Sequence, residues 1–149
     1  MAGCLSFLML FSILTSCDDD DDNNNKTYSI SGSANGTQVV PSVSGNGTGT
    51  ISGTFNPSTR VLTYTTGWDN LTGIPTSGGF YTGAAGSNGA AIGEPWVFSS
   101  TAAGTGTMNG SMTLTESEAN SLVGGNWYYT YGTATNPNGE VRGQITATR

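Results

Sequence analysis

The chain has 149 residues, with 10 acidic and 4 basic side chains, no histidine and a formal net charge of −6. Half of the acids form one run, Asp18 to Asp22, so from Lys26 onward five acids face four bases. A near-neutral body without a basic patch excludes nucleic acid as a partner class, the missing histidine removes the commonest general base and metal ligand, and 23 glycines among many threonines argue against a helical bundle.

The first element is an apolar run, Leu5 to Leu14, of signal-peptide length and too short to span a bilayer as a helix. It leads into Leu14-Thr15-Ser16-Cys17, which resembles a bacterial lipobox: an aliphatic residue, two small ones, then a cysteine that is lipidated and becomes the new N-terminus. The leading Met1-Ala2-Gly3 lacks the Lys or Arg that such signals usually carry, so either the start is displaced or the amino terminus supplies the charge. Cys4 and Cys17 are the only cysteines, which leaves the exported part without a disulfide. Residues 1–16 therefore read as a lipoprotein signal peptide, residues 17–26 as lipidated Cys17 with an acidic, Asn-rich tether, and residues 27–149 as one β domain.

Five aspartates followed by Asn23, Asn24 and Asn25 cannot pack and repel one another. Extended, the eight residues reach about 25–28 Å at roughly 3.3–3.6 Å each. Beyond tethering, acids just after a lipidated cysteine resemble the signal that sends lipoproteins of Bacteroidetes-type bacteria to the outer face of the outer membrane. In enterobacteria an aspartate at that place resembles an inner-membrane retention signal instead. The expectation is a lipid anchor in the outer membrane with the domain facing the cell surface.

From Tyr28 onward, short strands alternate with Gly, Asn and Pro punctuation. The predicted strands are 28–34, 47–55, 60–68, 95–99, 104–114, 127–134 and 140–147. Period two is clear where Val61, Thr63 and Thr65 oppose Leu62, Tyr64 and Thr66, and where Trp127, Tyr129 and Tyr131 oppose Tyr128, Thr130 and Gly132. Asn56-Pro57-Ser58-Thr59 and Asn136-Pro137-Asn138-Gly139 read as hairpin turns, with Gly139 taking a positive φ. One helix is expected after Thr115, whose partner Glu118 completes a capping box, with Ala119, Leu122 and Val123 as its apolar stripe and Gly124-Gly125 as its stop. The fold class is all-β: an antiparallel Greek-key sandwich or barrel of about seven to eight strands with one short helix. Residues 47–55 echo residues 104–112 in pattern, either as equivalent strands in two halves of a sandwich or as coincidence in a Gly/Thr-rich chain.

Residues 28–148 resemble the chordin-like (CHRD) domain. Ser31-Gly32-Ser33-Ala34-Asn35-Gly36-Thr37-Gln38-Val39-Val40-Pro41 is similar to the family's opening, with Gln38 where an acid is usual. Gly47-Thr48-Gly49, Leu62-Thr63-Tyr64, Leu71-Thr72-Gly73 and Leu114-Thr115-Glu116 follow in the family's order. The most specific block closes the domain and carries Asn136, Pro137, Gly139, Glu140, Arg142 and Gly143. Many relatives carry a His-x-His-Gly stretch and a later histidine that together could hold a metal. Here those places read Phe80-Tyr81-Thr82-Gly83 and Gly132, so neither metal nor other cofactor is expected.

The remaining residues build no convincing catalytic constellation, and no enzyme is expected. Glu116 and Glu118 suit a first helical turn, Glu140 and Arg142 lie two apart on one strand face and pair with neighbours or each other, and Asp69-Asn70 reads as a turn. Trp127, Tyr129 and Tyr131 read as the inward face of a core strand. Tyr128 and one of Trp68 and Trp96 remain as exposed contact candidates. The expected function is a membrane-anchored, non-catalytic protein-interaction or adhesion module with an unidentified partner. The alternative is a carbohydrate-binding module that uses those exposed aromatics.

Overall fold

A computed structural model describes residues 26–99 and 102–149; the expected signal peptide, Cys17 and all of the expected tether but Lys26 lie outside the described residues. Among the described residues the chain forms one antiparallel sheet of nine strands with a single α-helix. The strands are β1 (Tyr28–Asn35), β2 (Thr48–Asn56), β3 (Val61–Asp69), β4 (Pro75–Thr82), β5 (Ala91–Ile92), β6 (Gly106–Thr113), β7 (Trp127–Thr133), β8 (Val141–Gln144) and β9 (Thr146–Thr148), with α1 (Glu116–Val123) between β6 and β7. Their spatial order is β5-β4-β7-β8-β1-β2-β3-β6, with β9 also pairing β1. The all-β expectation with one short helix holds.

The sheet curls until its two ends meet. β3 and β4 stand far apart in strand order, yet Tyr64 on β3 meets Phe80 on β4 edge-on at 4.9 Å, and Trp68 meets Tyr131 of β7 at 5.3 Å. Alternation decides which side chains fill the enclosed space: Leu62, Tyr64, Thr66 and Trp68 point inward from β3, while Thr63 and Thr65 are exposed. Trp127, Tyr129 and Tyr131 are fully buried in the same core, as the inward-face reading of β7 expects. Complete burial of such a side chain is worth about 1.5–3 kcal/mol each.

Two parts of the strand pattern differ from expectation. Residues 95–99 form no strand. Trp96 makes one backbone bond, N–H to the Gly78 carbonyl at 2.9 Å, and its ring plugs the open side of the curl, packed on Tyr64, Phe80 and Tyr131. Strand β4 takes the place of that expected strand, although its centre is Gly78-Gly79, a poor strand former by propensity. A Cβ at Gly78 would stand 3.0 Å from both the Trp96 and Phe98 rings, so the glycine is what lets the aromatic plug sit on the strand. The expected strand 140–147 is divided between β8 and β9, but both keep one register against β1, with Asn35 opposite Arg142 and Ser31 opposite Thr146.

The echo between residues 47–55 and 104–112 has a physical basis that is not a sandwich repeat. β2 and β6 are the two neighbours of β3, and matching positions face the same β3 residues. Gly49 and Gly106 both oppose Trp68, Gly53 and Gly110 both oppose Tyr64, and Phe55 and Met112 both oppose Leu62. On the β6 side the glycines make room for rings: a Cβ at Gly106 would lie 2.5 Å from Trp68 Cζ2, and one at Gly110 would collide with the Tyr64 hydroxyl.

The helix forms where the capping box places it, but of its expected apolar stripe Val123 is exposed. Thr115 Oγ1 accepts the Glu118 N–H at 3.2 Å, and Glu118 Oε2 accepts the Thr115 N–H at 2.8 Å. Ala119 and Leu122 are buried under the curl, and Gly125, at φ +78°, carries the chain away in a conformation that suits glycine.

Candidate functional site

The closing block, residues 136–145, organises the most elaborate part of the molecule. Asn136 accepts the Gly139 N–H at 3.1 Å and the Thr133 N–H at 3.2 Å through its carbonyl, and Gly139 takes φ +127°, as the turn requires. Pro137 and Asn138 sit exposed at the tip of this turn. Gly143 lies directly under the Tyr129 ring, where a Cβ would stand 2.6 Å from Cε1.

Glu140 and Arg142 do not pair with each other; each finds separate neighbours. Glu140 is 4 % exposed. Its Oε1 accepts the Thr72 N–H at 2.7 Å, and Oε2 accepts the Thr72 and Thr133 hydroxyls at 2.7 and 2.5 Å. Burial pushes this carboxyl upward, but the hydrogen bonds from Thr133, Thr72 and Asn136 outweigh it and hold the group below the usual carboxylate range. Glu140 thereby clamps the segment after β3 onto the β7–β8 turn.

Arg142 is 1 % exposed and is held on the opposite side of β7 from the core. Its Nη2 donates to the Ala84 carbonyl at 2.9 Å and to Gln144 Oε1 at 3.4 Å, and Nη1 donates to Asn88 Oδ1 at 3.3 Å. The guanidinium carbon stands 3.6 Å from the centroid of the Tyr128 ring, and Tyr128 stacks on Tyr81 of β4 at 5.3 Å with 14° between the rings. Burial lowers the Arg142 pKa from its ordinary value, while the nearby Tyr128 raises it; a guanidinium remains cationic at neutral pH regardless.

These residues line a cavity of about 440 Å³ on the outer face of β7. Its walls come from residues 39–41, the loop after β4 with Asn88 and Gly89, and the exposed turn with Pro137 and Asn138. The loop is tied down by the Gly89 N–H on the Tyr128 hydroxyl at 3.1 Å and by Asn88 Nδ2 on the Val40 carbonyl at 2.9 Å. Gln38 and Gln144 brace its back: Gln38 Oε1 accepts the Gln144 N–H at 3.1 Å while Gln38 Nε2 donates to the Ser33 carbonyl at 2.8 Å. That pair of bonds needs an amide, which explains why a glutamine serves here in place of an acid. A second groove of about 390 Å³, of mixed polar and apolar lining, lies beside Trp68, Phe98 and Met108, with Val97 at its rim 88 % exposed.

Trp68, Trp96 and Tyr128, expected as exposed contact candidates, are 6 %, 8 % and 4 % exposed. Trp68 and Trp96 belong to the core, with their indole N–H groups on the Ala103 carbonyl and the Tyr64 hydroxyl. Tyr128 does face outward, as alternation requires, but the 83–90 loop and Arg142 cover it. None of the three offers an open stacking face. Phe80 lies in the core, Thr82 is half-buried, and Gly132 pairs with Ser77, five positions along β4 from Thr82. Among the described residues no three His, Cys, Asp or Glu side chains gather in one place. The cavity around Arg142 was not foreseen; the one sequence signal for it was a basic residue in the closing block with no acid certain to meet it.

A curled antiparallel sheet, plugged by aromatics and closed by the Asn-Pro-Asn-Gly-Glu-Val-Arg-Gly-Gln block, defines an all-β domain with one short helix. The chain belongs to the CHRD domain family, whose model matches residues 30–145. No curated protein and no solved structure gives a significant match to it.

Proposed function

We propose that the protein is a lipid-anchored lipoprotein of the outer membrane whose CHRD domain faces outward and acts as a non-catalytic binding module. The observation that carries the binding part is the lining of the Arg142 cavity: hydroxyls, amides, two aromatic rings and one guanidinium, which are recognition groups without a nucleophile–base or carboxylate pair among them. Glu140, the carboxylate nearest in sequence, is consumed by Thr72 and Thr133 and kept ionised, which suits a clamp and not a general acid. The anchoring part rests on Leu14-Thr15-Ser16-Cys17 and the five aspartates that follow.

The test compares the wild-type chain with Cys17→Ser in intact cells. Wild type should sediment with the outer membrane and lose its domain to protease added outside the cell, whereas the variant should leave the membrane fraction. Unchanged fractionation of the variant would overturn lipid anchoring at Cys17, and protection from external protease would overturn surface placement. Turnover of glycoside or ester substrates by the purified chain would overturn the non-catalytic reading.

A further inference from the structure

The cation at the Arg142 cavity has hydrogen-bond partners but no counter-ion among the described residues. Its three acceptors, Asn88, Ala84 and Gln144, are all neutral and engage at most three of the five guanidinium N–H donors. Among the described residues no carboxylate pairs with it. Glu140 is spent on threonines, and neither it nor Asp69, Glu94, Glu116 or Glu118 lines the cavity. A buried ion without a counter-ion is held at considerable cost, and an entering anion that supplies the missing charge repays part of it. The donors that these three acceptors leave over, Nε–H and one N–H of Nη1, lie on different edges of the guanidinium, so a carboxylate meets it through a single charge-assisted bond.

The rest of the lining narrows the ligand. Ser77, Thr130 and Asn138 present hydroxyls and an amide around the mouth, and the half-buried Tyr81 presents ring surface. Hydroxyl-rich rings carrying one carboxylate suit both sets of groups, and the cavity volume lies in the range of small-molecule sites. We infer that this cavity binds an acidic sugar residue, with its carboxylate on Arg142 and its hydroxyls on the Ser77, Thr130 and Asn138 rim. This deepens the binding-module reading and rests on it, with the difference that recognition runs through a buried cation and not through exposed tryptophans.

The experiment titrates the full chain in detergent micelles with a galacturonate trisaccharide, the neutral galactose trisaccharide and sodium acetate. Calorimetry gives the affinities, and NMR follows the Gly89 and Asn138 amides and the Arg142 Nε–H. The acidic trisaccharide should shift those resonances and bind at least about tenfold more tightly than the neutral one, the worth of one charge-assisted bond. Equal affinity for the neutral trisaccharide would overturn the role of Arg142. Acetate saturating the site as tightly would overturn the sugar. No shift at these resonances with any ligand would overturn the inference as a whole while leaving the Cys17→Ser result, and with it the anchored-module reading, intact. Arg142→Lys keeps the charge but loses the planar guanidinium that Ala84, Asn88 and the Tyr128 ring hold in place, and should weaken binding about tenfold or more. Should that variant not fold, Asn138→Trp on the exposed turn fills the cavity mouth, and unchanged binding by it would equally overturn the site.

Discussion

Replacing Glu140 should loosen the fold in a pH-dependent way whose sign is fixed by its surroundings. Glu140→Ala strips a partly buried N–H and two hydroxyls of a charged acceptor at 2.5–2.7 Å. Bonds to charged groups are worth about 1.5–3 kcal/mol each, but removing the carboxylate also removes its desolvation cost, and the exposed Thr72 hydroxyl can turn to water. The net loss expected is therefore about 2–4 kcal/mol, not the sum of three bonds. At about 3 °C per kcal/mol for a domain of this size, the melting temperature should fall by about 10 °C. Glu140→Gln separates charge from shape. Because the folded pKa lies below the ordinary value of 4.5, the carboxylate's contribution is complete above that pH and is lost as pH falls through the folded value. Urea unfolding of wild type and Glu140→Gln should show a stability gap that is constant from pH 7 to about 5 and narrows on further acidification. A gap that stays constant to pH 2.5, or widens, would refute the clamp.

Two further predictions test how rings and glycines are fitted together. Gly106→Ala drives a Cβ to 2.5 Å from Trp68 Cζ2 and should cost about 1–3 kcal/mol by urea unfolding, whereas Gly73→Ala meets nothing within 4 Å and should be near neutral; equal midpoints would refute the packing argument. Thr66→Val leaves the Tyr131 hydroxyl buried without its hydrogen-bond partner and should cost about 1–3 kcal/mol, while the double variant with Tyr131→Phe should regain part of that loss; strictly additive losses would show that the pair does not interact.

What the sequence reveals and hides follows from how local each signal is. β3, β7 and α1 carry their own evidence, because alternation and a capping box are properties of consecutive residues. Strand β4 does not, since Ser77-Gly78-Gly79 is strand only because β7 pairs with it and because Trp96 and Phe98 need the space a missing Cβ leaves. The converse error has the same root. Residues 95–99 are an apolar run, yet in place of a ladder they meet β4 through the Trp96 N–H on the Gly78 carbonyl, and the segment serves as a plug. The surplus of aromatics looked like a binding surface for a chain so polar. In the fold that surplus and the glycine surplus are one device, since Gly78, Gly106, Gly110 and Gly143 are the seats on which Trp96, Trp68, Tyr64 and Tyr129 rest. The Arg142 cavity was illegible because residues 39–41, 77–89 and 128–142 meet only in three dimensions.

The charge distribution then takes on a sharper meaning. Outside the aspartate run the chain has nine charged side chains, and seven of them lie at the surface or partly exposed; only Glu140 and Arg142 are buried. Two buried opposite charges two residues apart would ordinarily be expected to neutralise each other, and that pairing would have left neither available for anything else. The fold keeps them apart, giving Glu140 a full set of donors on the side of Thr72 and Thr133 and giving Arg142 an incomplete set of neutral acceptors on the side of Asn88. An ion with a full set of donors is a structural clamp. One with neutral acceptors and no counter-charge, beside a hydroxyl-lined cavity, is a place for a counter-ion from outside, and this asymmetry separates the part of the closing block that holds the fold from the part that faces a ligand.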